Sequence, residues 1–230
     1  MTFADLVTQV TATAAPRLTF YSDEDRIELA GPTIGRWASK ISGLLLADLG
    51  VEAGALVAVR LDSHWRALMW GLGVLQAGCT LDLGRSADFA GADVAVATTE
   101  EDLAEATEAG VLDVLAQPLP SLALAWPGTV PAGTEDAAQA VMSQPDALVE
   151  TPWELAATDR PIVGWDASVT ELLTPAEGVT PGTRVAWQAG DPRRDLARCL
   201  GIWLADGDAV LTQAPPSPRL LEQERATLAH

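Results

Sequence analysis

The stretch Val51-Glu52-Ala53-Gly54-Ala55-Leu56-Val57-Ala58-Val59-Arg60-Leu61 decides the fold of this chain. Gly54 closes a turn. Ala55–Leu61 then runs almost unbroken in apolar residues, as a strand does when both faces of a parallel sheet are covered. His64–Ala77 has the length and spacing of a helix, Gly78 stops it, and Cys79–Leu83 reads as the next strand. Turn, strand, helix, glycine and strand make one β-α-β unit, and such units imply a parallel, wound sheet.

The same order of parts recurs 128 residues later, at Val179-Thr180-Pro181-Gly182. Val185-Ala186 matches Val57-Ala58, Leu200-Gly201-Ile202 matches Leu72-Gly73-Val74, and Ala205 matches Ala77. Gly207 stands near the place of Gly78. Either two half-sheets share one design, or two generic units match by chance.

Outward from these units, Thr2–Thr13 carries Phe3, Leu6, Val7 and Val10 at helical spacing. Arg17–Tyr21 and Arg26–Leu29 read as a hairpin around Ser22-Asp23-Glu24-Asp25. Its acids lack the ligand spacing and glycine of a calcium loop, which favours a solvated tip. Thr33–Leu49 reads as an amphipathic helix with Thr33 as N-cap and Gly50 as its stop. Ala92–Ala97 and Val111–Leu115 read as strands flanking a helix that ends near Glu108 and is opened by Thr98-Thr99 and three acids. Glu135–Met142 reads as a helix, 143–160 as irregular, Pro161–Trp165 as a strand and Ser168–Leu173 as a short helix. Arg184–Gln188, Pro192–Ala205 and Ala209–Thr212 form the second unit. A proline-rich linker, 214–218, then leads to a last helix, Arg219–Leu228. The expected fold is α/β, with mostly parallel wound sheets and helices on both faces. It is one domain, divisible into subdomains 1–116 and 135–230 across the Pro- and Gly-rich connection 117–134.

Composition narrows the function. A formal charge of −18 opposes binding to nucleic acid or to an anionic membrane surface, since both need clustered Lys and Arg. No apolar run approaches the roughly 20 residues of a bilayer span. Met1–Pro16 has no basic residue of the kind that starts a signal peptide, so a cytoplasmic protein is expected. Cys79 and Cys199 read as small core residues in a reduced compartment rather than as functional thiols. No Cys or His cluster suggests a metal. Lys40, the single lysine, lies within a helix.

Ile27-Glu28-Leu29, Thr33-Ile34-Gly35-Arg36-Trp37, Gly50–Gly54 and Val57-Ala58-Val59 together resemble the start of the adenylate-forming superfamily. That superfamily includes acyl-CoA synthetases, luciferases and the adenylation domains of peptide synthetases. Leu75–Leu83 resembles its second core motif, with Gln76 where a lysine is usual. The likeness covers 17–98, resumes at 179–211, and extends to a following helix at Glu222–Ala226. These are scaffold motifs. The resemblance implies a Gly-, Ser- and Thr-rich loop ending in Pro-Lys just before residue 168, to cradle ATP phosphates. In its place stands Asp159-Arg160-Pro161-Ile162-Val163-Gly164-Trp165-Asp166, with one glycine, no lysine and two acids. The family's adenine and Mg²⁺ motif, its ribose-binding aspartate and its C-terminal domain with the catalytic lysine have no counterpart. The expectation is a shortened relative with no catalytic residues and no cofactor.

Three turns at strand ends could still receive a ligand. Ser63-His64 opens the first unit's helix, and His64 is the sole histidine besides His230, hence the one near-neutral acid/base. The plainer reading has Ser63 capping that helix and His64 in its first turn. Arg193 and Arg194 open the second unit's helix and could meet a carboxylate or phosphate, unless Asp191 and Asp195 cancel their field. Arg85, in Gly84-Arg85-Ser86, is a third lip. Trp126, Trp153 and Trp165 fall in irregular segments and could line a pocket or an interface. The function expected is a binding or partner subunit, with apolar surface suited to a homodimer or a protein partner. Two alternatives stand beside it: a binder of a small acyl or nucleotide ligand at the strand ends, and a split enzyme whose phosphate loop comes from a partner.

Overall fold

The computed structural model describes residues 1–119 and 122–229. Helix α1, Phe3–Thr11, opens with a capping box in which Thr2 and Asp5 satisfy each other's amides. Strands β1, Pro16–Tyr21, and β2, Arg26–Ala30, form the expected antiparallel hairpin. Helix α2, Gly31–Gly43, begins directly from β2 and runs on through a π-helical turn, Leu44–Asp48. Ala30 is its N-cap, so Thr33 is not. Gly31 makes the early start feasible, because a side chain there would strike the carbonyl oxygens of Val10 and Thr13.

The first unit comprises β3 (Leu56–Arg60), α3 (Trp65–Ala77) and β4 (Thr80–Leu83). Gly78 ends α3 with φ of 83°, a left-handed conformation that suits glycine. Next come β5 (Val94–Ala97), α4 (Glu100–Glu108) and β6 (Asp113–Ala116), with Thr99 capping α4. Glu135–Asp136 forms a short strand, β7, before α5 (Ala137–Ser143), where a helix alone is expected from the sequence. Pro161–Trp165 does not become a strand. Only Ile162 bridges to Leu81, because the adjoining residues turn away through Gly164. Helix α6, Val169–Leu172, is capped by Ser168. The second unit is β8 (Arg184–Gln188), α7 (Pro192–Leu204) and β9 (Asp208–Thr212). The final segment differs from its sequence reading. Helix α8 spans only Pro218–Glu224, Arg225 turns left-handed at φ of 50°, and Ala226–Leu228 forms β10 beside β8.

Two five-stranded sheets result, in the orders β10-β8-β9-β1-β2 and β4-β3-β5-β6-β7. Every pairing is parallel except β1 with β2. Each β-α-β unit thus lies in its own sheet. Sheet membership does not follow the 117–134 connection: β1 and β2 join β9, while the connection links β6 to β7 within one sheet.

Helix α3 packs on β3 and β4 and also against α7, which packs on β9. Every residue of α3 is buried. Gly71 and Gly73 permit this, facing Leu196 of α7 and Ile41 of α2 at separations that leave no room for a methyl group. Trp70 and Trp203 are fully buried, and their indole N–H groups donate to Gln117 Oε1 (2.7 Å) and to the Arg17 carbonyl (2.8 Å). A second apolar cluster, around Ala95, Leu103 and Val114, fills the other face of the β5–β6 region beneath α4. No described helix is long and apolar enough to cross a membrane.

Candidate functional site

Leu61-Asp62-Ser63-His64 carries the chain from β3 into α3. The N-cap is His64, whose Nδ1 accepts the Arg66 amide at 3.1 Å. Ser63 does not cap the helix. Its hydroxyl donates to Asp195 Oδ2 at 2.6 Å, on the first turn of α7. Asp195 also accepts the Trp187 indole N–H at 2.7 Å and the Gly190 amide at 2.9 Å. One buried carboxylate therefore joins the strand-end turn of the first unit to that of the second. With three donors, its charge is compensated.

His64 stacks edge-on against Phe20, ring centres 4.6 Å apart. Burial, aided by the Arg66 charge, pushes its pKa down to about 3. At neutral pH it is an uncharged imidazole committed to a cap, so it is not the near-neutral acid/base expected from its type.

The arginines face their own acids. Asp191 caps α7 and holds Arg193 with both oxygens, each at 3.0 Å. That bond keeps the Asp191 carboxyl below its usual range. The Arg194 guanidinium lies 5.8 Å from the centre of the Trp165 ring. Arg85 turns toward α4, pairing with Asp102 at 3.1 Å. Asp102 binds Arg60 as well, at 3.1 Å. The structure thus joins Ser63 to the start of α7, sets His64 against Phe20, and turns Arg85 toward α4.

An open cleft of about 360 Å³ lies at the carboxyl ends of β1 and β9, lined by Ser22–Asp25, His64, Leu119 and Gln213. Three acids at its rim favour cationic over anionic contents. Leu119 and Gln213 escaped sequence reading, although Gln213 directly follows β9, a position where wound sheets place ligand contacts. From the sequence alone Asp195 reads only as a cancelling charge. Its spacing of four and seven residues before the apolar Cys199 and Ile202 puts it on the buried face of α7, and that is the signal for an inward carboxylate.

Residues 159–166 fold against β4. Leu81 donates to the Pro161 carbonyl at 2.7 Å and accepts from Val163 at 2.8 Å. Arg160 Nε pairs with Asp166 at 2.5 Å, and Asp159 accepts the Ala156 amide at 2.7 Å. A side chain at Gly164 would sit 3.1 Å from Arg193 Nη1.

No family model matches the sequence. A "TIGR03089 family protein" of Mycobacterium tuberculosis (strain ATCC 25618 / H37Rv) is 31% identical over 228 residues, covering 92% of this chain and 88% of that protein. An acyl-CoA synthetase of Brucella canis has the same fold at TM-score 0.76 and 17% identity, over 99% of this chain and 47% of its own. Apo MatB from Rhodopseudomonas palustris follows at TM-score 0.71 and 16% identity, over 98% and 48%. The peptide synthetase FmoA3 gives TM-score 0.67 and 20% identity, over 99% and 25%. The chain spans about half the length of the Brucella canis synthetase and of MatB.

Proposed function

This chain belongs to the TIGR03089 family, and on that footing we propose that it is a non-catalytic relative of adenylate-forming enzymes serving as a binding or partner subunit. The observation that carries the reading is the 159–166 segment. Where the resemblance calls for glycines, hydroxyls and a lysine around phosphates, this segment offers Asp159 and an exposed Asp166. Its one arginine is tied to Asp166. Carboxylates repel a triphosphate, and the backbone there is spent on β4 rather than turned outward as a nest of amides. Exposed Leu122, Leu124, Val149 and Trp153 supply apolar surface for a partner, with a homodimer as the simplest form.

Two measurements test it. Calorimetry with Mg·ATP should show no binding, and sedimentation at micromolar protein should show a dimer or, in a native complex, a second subunit. Carboxylate-dependent exchange of pyrophosphate into ATP by the purified chain would overturn the reading. A second reading, a small-molecule binder at the strand ends, draws support from the cleft beside His64. Its acids make a nucleotide the poorer candidate.

A further inference from the structure

A separate cavity of about 200 Å³ opens between the start of α1, the last turn of α3 and the 152–155 segment, with Phe3, Leu75, Leu155 and Val169 in its walls. We propose that it binds a small neutral phenol, a ligand class distinct from anything the acidic strand-end cleft would hold.

Four observations point there. First, the space suits a single ring, since an apolar cavity of about 150 Å³ already takes up benzene. Second, a polar group in the lining is unpaired. Gln76, in the last turn of α3, is 7% exposed, and its Oε1 accepts from the Ser42 hydroxyl at 3.1 Å. Its Nε2 has no partner among the described residues, yet it keeps accessible surface. Buried amides are nearly always bonded, so this one calls for a group that the chain does not supply. Third, an aromatic wall is set in place. Trp153 is 46% exposed, but its amide donates to the Ala77 carbonyl at 3.0 Å and its indole N–H to the Val51 carbonyl at 3.2 Å. Gly78 makes this seat feasible, because a Cβ there would lie 2.2 Å from the Trp153 carbonyl oxygen. A half-exposed ring held at both ends receives a ligand at little further ordering cost. Fourth, Glu154 is the one charged side chain of the lining, exposed and with no cation paired to it among the described residues. The Met1 amine nearby is answered by Asp5 at 3.9 Å. In a chain of formal charge −18, such a mouth turns carboxylates away and leaves a neutral polar group as the match.

An aryl ring against Trp153, with its hydroxyl at Gln76, satisfies all four. A phenolic hydroxyl both accepts and donates, so it matches a side-chain amide at either end. The proposal is independent of the strand-end cleft and of the partner-subunit reading, for which Leu122, Leu124 and Val149 remain exposed whether or not Trp153 is covered.

Isothermal titration of the full chain with p-cresol, toluene and 4-methylbenzoate tests it. The phenol should bind about fivefold more tightly than toluene, the margin of one hydrogen bond. It should bind at least about tenfold more tightly than the anion, which Glu154 repels. Gln76→Met keeps the shape of the side chain and removes the amide, and should bring p-cresol and toluene to equal affinity. Ala4→Phe, in the cavity wall, occupies the space and should weaken both about tenfold. Thermal melts check that each variant folds, and either one alone carries the test. Absence of p-cresol binding up to about 2 mM overturns the proposal. Equal affinity of the unaltered chain for toluene or for 4-methylbenzoate, or undiminished binding by Ala4→Phe, overturns it as well.

Discussion

Ser63 and Asp195, 132 positions apart in sequence, share a 2.6 Å hydrogen bond that couples the two β-α-β units at their strand ends. Asp195→Ala would strand the Ser63 hydroxyl, the Trp187 indole and the Gly190 amide, at a cost of about 3–5 kcal/mol. Ser63→Ala should cost about 1–2 kcal/mol. In urea denaturation the double variant should fall short of the sum by about 1 kcal/mol or more. Strict additivity would refute the coupling.

His64 gives stability a pH dependence of known sign. Its folded pKa of about 3 lies below the ordinary 6.5, so between those values the unfolded chain binds the extra proton. Its contribution is complete above pH 6.5 and declines as pH falls toward 3. Between pH 7 and 5 the loss should be about 2 kcal/mol. His64→Asn retains an N-cap acceptor and should remove that loss. Parallel pH profiles for the two proteins would show that His64 titrates normally.

Glycines at the α3 contacts should tolerate nothing larger. Gly73→Ala drives a methyl into Ile41 and toward the Ala38 carbonyl, and Gly71→Ala into Leu196. Each should cost about 1–3 kcal/mol, the former more because backbone cannot yield. Gly190 faces open space, and Gly190→Ala should stay within about 0.5 kcal/mol. Thermal melts of the three variants give the comparison.

The end of the described chain is held by one acid. Glu224 accepts from Tyr21, Arg26 and Arg184, tying α8 to the β1–β2 hairpin and to β8. Burial pulls its pKa upward, but these bonds and charges outweigh it and leave the group below its usual range. Glu224→Ala should cost about 3 kcal/mol. It should also free β10, read as faster hydrogen exchange at Ala229, whose amide now binds the Ala186 carbonyl. Unchanged exchange there would remove Glu224 from this role.

Local signals carried most of the fold. The Thr99 and Ser168 caps, the Gly78 stop and the boundaries of Arg184–Gln188 are all visible in short stretches of sequence. What escaped depends on distant partners. Ala226–Leu228 is too short to show a strand period and is extended because β8 offers an edge. His64 rather than Ser63 caps α3 because Asp195 draws the serine hydroxyl away. The cancelling of Arg193 by Asp191 is legible because the two lie two residues apart, whereas the pairing of Arg85 with Asp102 is not, since it spans from the turn after β4 to α4.

The complete burial of α3 has a consequence for cooperativity. A helix with no wet face cannot detach while either sheet stands, so its amides should exchange with solvent only when the whole molecule opens. The slowest-exchanging protons of residues 65–77 would then report global stability directly. A ligand that slows them further must favour the folded chain as a whole, wherever it binds.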